Sequence, residues 1–276
     1  MSVRLPNTTN PVPSGVAFDR IASQYDEIFT YSAIGRAQRQ LVHRAVQPVF
    51  VRGSHILDLN CGTGEDALHF AAQGVEVVAC DASPAMIDVC CRKLATAGAA
   101  LPVRFLVCPN ESLNDLTGFA PFDGALSNFG GLNCTANLAA VGRMIAPLIR
   151  PGGTLFVCFI GRVCAWEIAW YLLSGRWGKA FRRIHSSGSM AKIGGFSIRV
   201  HYPTVRQIAD AFTPSFRLQA WRGIGVALPP SWLEPFFRNR PRILRCLQWL
   251  DCRLSAWLLL RGLADHILLH FVREEQ

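Results

Sequence analysis

One short segment, residues 55–66, constrains the fold more than any other part of the chain. An apolar run ends in Asp58, breaks into a turn that contains Gly62 and Gly64, and then restarts with a helical pattern. Glycine reaches positive φ angles without strain and lets a ligand lie against the backbone, and Asn60 also tolerates that geometry. This order predicts the strand–turn–helix opening of a nucleotide-binding α/β unit.

The charges around the glycine turn favour one class of ligand over another. The spacing G-x-G-x-x-A over residues 62–67 also fits the dinucleotide fingerprint, in which a pyrophosphate lies at the helix N-terminus. Here Asp58 ends the strand, and Glu65 and Asp66 open the helix. We expect these carboxylates to repel a pyrophosphate and to attract a ligand with an ammonium and a sulfonium group. Asp81, at the end of the next predicted strand, is placed to accept hydrogen bonds from ribose hydroxyls. The pattern therefore predicts S-adenosyl-L-methionine as the cofactor.

The sequence resembles class I S-adenosylmethionine-dependent methyltransferases, particularly the branch related to ubiquinone and menaquinone methyltransferases. The matching segments are ILDLNCGTG at residues 56–64, DASPAM at 81–86 and LIRPGG at 148–153, and they occur in the family's order. The resemblance implies an α/β, Rossmann-like fold with a seven-stranded, mostly parallel sheet and a helical insertion after the fifth strand. It also implies methyl transfer to a small molecule.

The patterns divide the chain into four predicted parts. Residues 1–15 are a polar, proline-containing and flexible lead, and residues 16–160 are the Rossmann-like cofactor-binding core with an N-terminal helical cap. Residues 161–200 are a helical insertion that would serve as a substrate lid, with a glycine- and serine-rich connector before a short strand. Residues 201–276 complete the methyltransferase fold with a C-terminal cover helix and the last strand.

Composition argues against several classes of protein. The ten cysteines include no C-x-x-C pair, so we interpret them mostly as reduced core residues, and no His/Cys cluster has the spacing of a metal site. No apolar run approaches the ~20 residues of a membrane span. The polar first fifteen residues lack the apolar core of a secretory signal, so we expect a cytoplasmic protein.

The net charge of +9 leaves two kinds of surface open. The arginines cluster after residue 140 among tryptophans and leucines, a pattern that fits a basic amphipathic surface at least as well as a nucleic-acid groove. We therefore do not favour nucleic acid as a partner. The predicted C-terminal helical region, residues 233–263 with an interruption at Pro241, could contact a membrane surface peripherally or could cover the sheet with snorkelling arginines. The oligomeric state does not follow from the sequence.

The resemblance also implies which residues bind the cofactor. The family's N-terminal helix closes over the ligand through a tyrosine, Met86 would lie against the adenine, and Asn110 would replace the acid that relatives use there. The predicted cofactor residues are Tyr25, Asp58, Asn60, Cys61, Gly62, Thr63, Gly64, Asp81, Ala82, Met86, Asn110, Glu111, Ser127, Asn128 and Phe129.

Residues for the acceptor and for catalysis are predicted from position. Methyl transfer needs a general base only when the acceptor is protonated, and the candidate catalytic residues are His201, Tyr202 and Tyr25. The candidate substrate residues are Asn133, Trp166, Trp170 and Tyr202. An alternative remains open for the tryptophans, because a helix with this spacing could equally pack on the edge of the sheet.

Three other functions remain open at this stage. The enzyme could use S-adenosylmethionine for aminocarboxypropyl transfer or cyclisation, or the chain could be a non-catalytic cofactor-binding module associated with membrane or nucleic acid. In the third hypothesis Cys61, Cys108 and Cys134, which fall near strand ends, would bind a thiophilic substrate, although buried structural thiols explain them as well.

Overall fold

A computed structural model of the protein describes residues 12–98, 100–185 and 188–275. The strands in these ranges are β1 (His55–Leu59), β2 (Glu76–Asp81), β3 (Val103–Val107), β4 (Phe122–Ser127), β5 (Ile149–Ile160), β6 (Ser189–Ile193), β7 (Phe196–Val200), β8 (Phe216–Ile224) and β9 (His266–Arg273). The α-helices are α1 (Ser14–Asp19), α2 (Ala22–Tyr25), α3 (Ala33–Val46), α4 (Glu65–Ala72), α5 (Pro84–Thr96), α6 (Leu138–Ile145), α7 (Ala165–Leu173), α8 (Trp177–Ala180), α9 (Val205–Phe212), α10 (Glu234–Phe237) and α11 (Pro241–Leu254).

Seven strands form one sheet in the order β3-β2-β1-β4-β5-β9-β8. The first five are parallel, and β9 runs antiparallel to both β5 and β8. The chain moves outward from β1 to β3 and then returns to β4 on the other side of β1. Ligands of such sheets bind beyond the carboxyl ends of the strands at this switch point. The predicted Rossmann-like, mostly parallel sheet is confirmed.

Helices cover both faces of the sheet, so the strands are buried on both sides. Along β1 the side chains alternate between two apolar cores. Ile56 belongs to the core that includes α3 and α4, whereas Leu57 and Leu59 belong to the core on the other face. Asp58 points to the same side as Ile56 by this alternation, and it is buried.

Local capping explains where several helices begin. The Ser83 hydroxyl accepts a hydrogen bond from the Met86 amide at 3.1 Å, and Pro84 occupies the first turn of α5. Thr204 and Gln207 form a capping box at the start of α9. The sequences D-A-S-P over residues 81–84 and P-T at residues 203–204 predict both helix starts, because serine and threonine caps act on backbone groups only three residues away.

The N-terminal part differs from the prediction. The helix α1 begins at Ser14, inside the part predicted as a flexible lead, and residues 1–11 lie outside the described ranges. The sequence predicts one helix from Phe18 to Phe29, but the structure has α1, α2 and then a π-helix, Asp26–Thr30. The break lets the three short pieces follow the end of the sheet instead of leaving it in a straight line.

The insertion after β5 contains helices, as predicted, and also a β-hairpin that was not predicted. Strand β7 pairs with β6 through Gly194 and Gly195, whose φ angles are 56° and 86°. Positive φ at both central residues is typical of a two-residue type I′ hairpin turn. The glycines that suggested a connector therefore form a tight turn, whereas Ser186 and Ser187 lie outside the described residues. The hairpin packs on α1 through Ala17, Ile198 and Val200.

The C-terminal helical region ends earlier than predicted. Helix α11 ends at Leu254, whereas the prediction extends to residue 263. Its buried face contains Leu244 and Asp251, whereas Ile243 is 46% exposed. The Asp251 carboxylate accepts hydrogen bonds from the backbone amides of Ala227 and Leu228, which fixes this rotation of the helix. None of the helices in the described ranges has the length and apolarity needed to cross a bilayer.

Candidate active site

A cavity with an empty volume of about 750 Å³ lies at the switch point, beyond the carboxyl ends of β1, β2 and β4. Its polar wall includes Asn60, Gly62, Asp81 and Asn128 from the strand ends, and Tyr25 from the end of α2. Its opposite wall is apolar. The apolar side chains are Phe18, Met86, Phe129, Cys134, Ile160, Ile193, Ile198 and Val200.

The two glycines of the turn are required for different structural reasons. Both have positive φ, 55° at Gly62 and 77° at Gly64, and Asn60 has a φ of 55°. A Cβ at Gly62 would meet only a ring carbon of Tyr25 at 4.0 Å, so this glycine faces the space of the cavity. A Cβ at Gly64 would lie 2.9 Å from the sulfur of Cys90, so this glycine allows close packing of the turn.

Asp81 is the acid that reaches the cavity. Its Oδ2 accepts the Gly62 amide at 3.0 Å, and its Oδ1 accepts the Ser83 amide at 2.9 Å. Burial raises the pKa of this carboxyl, and the two backbone hydrogen bonds oppose the shift. A carboxylate has about four acceptor positions, so two remain for a ligand. The predicted position for binding ribose hydroxyls is therefore available at Asp81.

Asp58 lies behind the turn and does not line the cavity. Its side chain is buried, and its Oδ2 has no hydrogen-bond partner among the described residues. Burial raises the pKa of Asp58 well above its usual value, and the nearby Asp66 charge adds to this shift. Buried acceptors without a partner are rare, so this oxygen can take a donor from a ligand or a bound water.

The two acids that open the helix after the turn, Glu65 and Asp66, are not free charges, which corrects the expectation for them. The Glu65 carboxylate pairs with Lys93 at 3.2 Å. Asp66 is paired with the guanidinium of Arg39 and with His43 at 2.6 Å. Cations from α3 and α5 thus neutralise both acids, because packing brings distant positions of the chain together. The discrimination against phosphate lies instead in the cavity wall.

Among the described residues that line the cavity, Asp81 is the one carboxylic acid, and lysine, arginine and histidine do not occur. A dinucleotide would place its pyrophosphate here without a cation to balance it. A cationic ligand would instead be attracted by the Asp81 carboxylate in the cavity wall. The cavity therefore still favours a positively charged nucleoside, but the acid responsible is Asp81 and not Glu65 or Asp66.

A chain of hydrogen bonds holds Asn60 at the cavity. Its Oδ1 accepts the Ser127 hydroxyl at 3.0 Å, and its Nδ2 donates to Asn110 at 3.1 Å. Asn110 in turn donates to Thr135 at 2.9 Å. Ser127 and Asn110 were predicted to touch the cofactor, but the structure places them behind Asn60. Glu111 is exposed and lines an adjoining groove.

The remaining predicted cofactor residues divide into two groups. Ala82, Met86, Asn128 and Phe129 line the cavity. Thr63 does not; its hydroxyl donates to the Asp26 carboxylate at 2.5 Å and attaches the π-helix to the glycine turn. Cys61 packs against the core below the turn.

Tyr25 lines the cavity as predicted, but it is unsuited to the role of a general base. Its ring makes an edge contact with Phe18, with the ring centres 6.3 Å apart. Burial raises the pKa of Tyr25 to about 12. The hydroxyl therefore stays protonated near neutral pH and can donate a hydrogen bond to a ligand.

The other two candidate catalytic residues, His201 and Tyr202, do not line the cavity. The Tyr202 side chain is buried, and its hydroxyl lies 3.2 Å from that of Ser189. His201 lines the adjoining groove together with Glu111. Burial and the neighbouring Arg199 charge lower the pKa of His201. His201 and Tyr202 follow the end of β7 and lie outside the cavity lining, whereas Ile198 and Val200 on β7 line it.

The predicted substrate residues have structural contacts instead. Asn133 is fully buried, and its amide bonds the backbone of Ile160 and His201. The Trp166 indole donates to the carbonyl of Ala227 at 3.0 Å, and Trp170 packs against Trp232 with ring centres 5.7 Å apart. Helix α7 therefore packs against the C-terminal part of the chain, and within the described part of the insertion the cavity is lined by the hairpin.

Sequence reasoning missed two features of the site. The first is the β6–β7 hairpin that lines the cavity. The Gly194–Gly195 pair between two runs of alternating residues could have predicted it. The second is Arg39 on α3, which clamps Asp66 and lies 4.9 Å from the ring centre of Phe129. No local pattern distinguishes Arg39 from the other arginines, because its partner lies 27 positions away in the sequence.

The seven-stranded sheet, the switch-point cavity and the glycine turn with Asp81 define the class I methyltransferase fold. Residues 56–153 match the family described as "Methyltransferase domain". Residues 56–153 therefore form a methyltransferase domain in the class I fold, in agreement with the predicted class, and S-adenosylmethionine, the predicted cofactor, is the cofactor of that class.

Relatives in sequence carry related names. The chain is 33% identical over 144 residues to a demethylmenaquinone methyltransferase of Clavibacter sepedonicus. The aligned region covers 51% of this chain and 55% of the relative. It is 33% identical over 115 residues to a ubiquinone biosynthesis O-methyltransferase of Xylella fastidiosa, which covers 41% of this chain and 44% of that relative. The chain thus spans about half the length of these relatives.

Solved structures share the fold at low sequence identity. The methyltransferase CcbJ of Streptomyces caelestis superimposes with a TM-score of 0.62 at 15% identity, covering 94% of this chain and 98% of CcbJ. The cyclase SpnF superimposes with a TM-score of 0.63 at 15% identity, covering 99% of this chain and 100% of SpnF. These similarities establish the fold alone, because one of the two proteins is named as a cyclase.

Proposed function

We propose that the protein is an S-adenosylmethionine-dependent methyltransferase that acts on a small hydrophobic or aromatic molecule by direct in-line methyl transfer. The observation that carries this proposal is the composition of the cavity. One wall presents the glycine turn and Asp81, and the other presents side chains from α1 and the hairpin, such as Phe18, Ile193 and Ile198. One cavity can therefore receive a polar nucleoside and an apolar acceptor side by side.

The residues present fit the cofactor. Asp81 has free acceptor positions for two ribose hydroxyls, and Gly62 leaves space for the ligand against the backbone. Met86 supplies an apolar surface for a base, and the Tyr25 hydroxyl can donate a hydrogen bond. The partnerless oxygen of Asp58 can take a donor on the far side of the turn, directly or through a water.

The protein's own contribution is positioning. S-adenosylmethionine supplies an activated methyl group on a sulfonium, so the chain needs to hold the acceptor in line and to exclude water. The thiol of Cys134 lines the cavity, and burial raises its pKa to about 11. Both this thiol and the Tyr25 hydroxyl are already protonated near neutral pH, so neither can accept a proton from the acceptor. This supports an acceptor that needs no side-chain base from the cavity, and it weighs against a thiolate site for a thiophilic substrate.

The names of the relatives support the same class of acceptor. Two of them are named for menaquinone and ubiquinone, whose head groups are aromatic or quinoid. The apolar wall of the present cavity suits a molecule of this kind.

Calorimetry with the purified chain tests the cofactor half of the proposal. We expect binding of S-adenosylmethionine, and an Asp81→Asn variant should bind about tenfold or more weakly, since hydrogen bonds to charged groups contribute about 1.5–3 kcal/mol. Asp88→Asn, an exposed acid on α5, is the matched control and should bind as the wild type does. Tight uptake of NADH with no response to the sulfonium compound would overturn the assignment.

Identification of the nucleoside product tests the reaction half. S-adenosylhomocysteine, formed with a methylated acceptor, is the expected product from a panel of quinols and phenols. Methylthioadenosine would instead indicate aminocarboxypropyl transfer. A chain that binds the cofactor but consumes none in the presence of extracts would be a binding module.

A further inference from the structure

Exposed side chains on the outward side of α11 are followed directly by an exposed apolar turn, and we name the two together the arginine–tryptophan face. On the helix it consists of Arg242, Arg245, Trp249 and Arg253. These positions are three or four residues apart, so they lie along one side of the helix. The inward side carries Leu244 and Asp251, both buried. The turn adds Trp257, Leu258 and Leu259.

The charge of this region has one sign. Between residues 234 and 263, all of which the structure describes, six arginines accompany two acids. Both acids are used inside the fold: Glu234 accepts the amides of Ala33 and Ile34, and Asp251 accepts those of Ala227 and Leu228. The arginine–tryptophan face therefore presents cations to the outside with no exposed carboxylate from this part of the chain.

The apolar side chains of the face are unusually exposed. Trp257 is 61% exposed, Leu258 76% and Leu259 87%. Single exposed apolar residues are common on protein surfaces, but three consecutive ones at a turn are not scattered exposure. The turn has a defined conformation, because the amides of Leu260 and Arg261 donate to the Trp257 carbonyl at 3.0 and 2.9 Å.

Tryptophan and arginine are also close together on the helix. The guanidinium of Arg253 lies 4.7 Å from the ring centre of Trp249, which is 57% exposed. An indole with a cation beside it suits the boundary between water and hydrocarbon, where aromatic rings are enriched.

We propose that the arginine–tryptophan face docks the protein on the surface of an anionic lipid bilayer. The arginines would pair with lipid phosphates, and Trp257, Leu258 and Leu259 would enter the boundary between head groups and acyl chains. The proposal commits to a lipid surface because it explains cations and protruding leucines together. Two copies joined through this face across a two-fold axis would set arginines against arginines. A nucleic acid would use the arginines and leave the leucines in water.

Vesicle flotation with the full chain tests the proposal. We expect binding to vesicles of phosphatidylcholine that contain phosphatidylglycerol, and much weaker binding to phosphatidylcholine alone. The triple variant Arg242→Gln, Arg245→Gln, Arg253→Gln should lose about fivefold in partitioning for each arginine. The matched control replaces three exposed arginines elsewhere, Arg92, Arg104 and Arg206, by glutamine and should partition as the wild type does.

The leucines are tested separately from the charge. Leu258→Ser with Leu259→Ser should lower partitioning into anionic vesicles by about tenfold or more, since each buried CH₂ contributes roughly 0.8 kcal/mol. Val107→Ser removes an exposed apolar side chain from β3, at the edge of the sheet opposite β8, and should have no effect. All these positions are exposed, so circular dichroism and cofactor affinity should match the wild type. Normal cofactor affinity in a variant that no longer floats separates this proposal from the proposed activity.

Several results would overturn the proposal. Equal binding to neutral and anionic vesicles, or equal losses in the control variants, would exclude a specific role of this face. A concentration-dependent dimer that the serine variant abolishes, without vesicle binding, would assign the face to a second copy. Salt-dependent binding of a homopolymeric RNA that needs the arginines but not the leucines would assign it to nucleic acid.

Discussion

Asp66 connects three parts of the structure through one buried carboxylate. It accepts hydrogen bonds from Arg39 on α3 and from Asn128 after β4, and His43 lies 2.6 Å away. Burial alone would raise the pKa of Asp66, but the charge of Arg39 and the hydrogen bond from His43 lower it below its usual range. Arg39 also contacts Phe129, so this cluster fixes part of the cavity wall.

Replacing Asp66 by asparagine should destabilise the protein strongly. The variant leaves the buried guanidinium of Arg39 without its counter-charge, a change that typically costs about 3–5 kcal/mol of unfolding free energy. Because the folded state lowers the pKa of Asp66, its contribution is complete above the usual value of 3.8 and is lost as the pH falls below it. Urea unfolding of both proteins should therefore show a difference at neutral pH that shrinks in acid. Asp88→Asn serves as the control, and a difference that does not vary with pH would contradict this account.

At the scale of elements, the hairpin of β6 and β7 decides how the cavity is closed. Its strands contribute Ile193, Ile198 and Val200 to the apolar wall. The hairpin is a separate two-stranded sheet, so its own turn and its packing on α1 must hold it in place. A two-stranded hairpin by itself is only marginally stable, and the glycine turn is therefore important for the wall.

Gly195→Ala tests the hairpin turn. Gly195 has a φ of 86° and no atom within 4 Å of a Cβ placed there, so the substitution acts through the backbone alone. A residue with a Cβ in this conformation costs about 1–2 kcal/mol. We expect faster amide exchange in residues 189–200 and a weaker apparent affinity for the acceptor, with unchanged exchange in β1. Gly118→Ala, in open space and without a positive φ, should leave exchange unchanged; equal effects of both variants would refute the explanation.

At the scale of the whole molecule, a buried ionic network attaches the insertion to the last strands. Glu167 on α7 accepts hydrogen bonds from Arg182 and Arg183. Arg183 also lies 3.0 Å from Asp265, immediately before β9. Burial works against the charge of Arg183, but Asp265 and Glu167 raise its pKa above the usual range. The orientation of α7 therefore depends on residues nearly a hundred positions later in the chain.

Glu167→Gln should loosen the insertion more than the core. The substitution removes the carboxylate charge that Arg182 and Arg183 share, and breaking a buried pair typically costs about 3 kcal/mol or more. Limited proteolysis should then cut residues 161–200 well before residues 56–153, and the unfolding midpoint in urea should fall. Glu76→Gln, an exposed acid on β2, should change neither measurement. Simultaneous cleavage of both regions would show that the network does not act locally.

The elements predicted correctly are those whose cause is local. The turn at Gly62 and Gly64, the cap at Ser83 and the acid at Asp81 each act on backbone groups a few residues away or at the end of a neighbouring strand. The parallel order of the first five strands followed from alternating strand and helix patterns together with the resemblance. These features could be predicted because the periodicity and turn chemistry of a segment are contained in the segment itself.

The roles of His201, Tyr202, Trp166 and Trp170 could not be predicted, because each depends on what the fold places next to it. Tyr202 meets Ser189 across the hairpin, and Trp170 meets Trp232, which lies far along the chain. Asp66 looks like a free acid in the sequence and is neutralised by Arg39 in the structure. The sequence by itself determined the sheet, the glycine turn and the acid that faces the ligand, since these arise from neighbouring residues. Only the tertiary structure decided which charges remain unpaired and which apolar side chains close the cavity, since pairing and burial are set by contacts between distant parts of the chain.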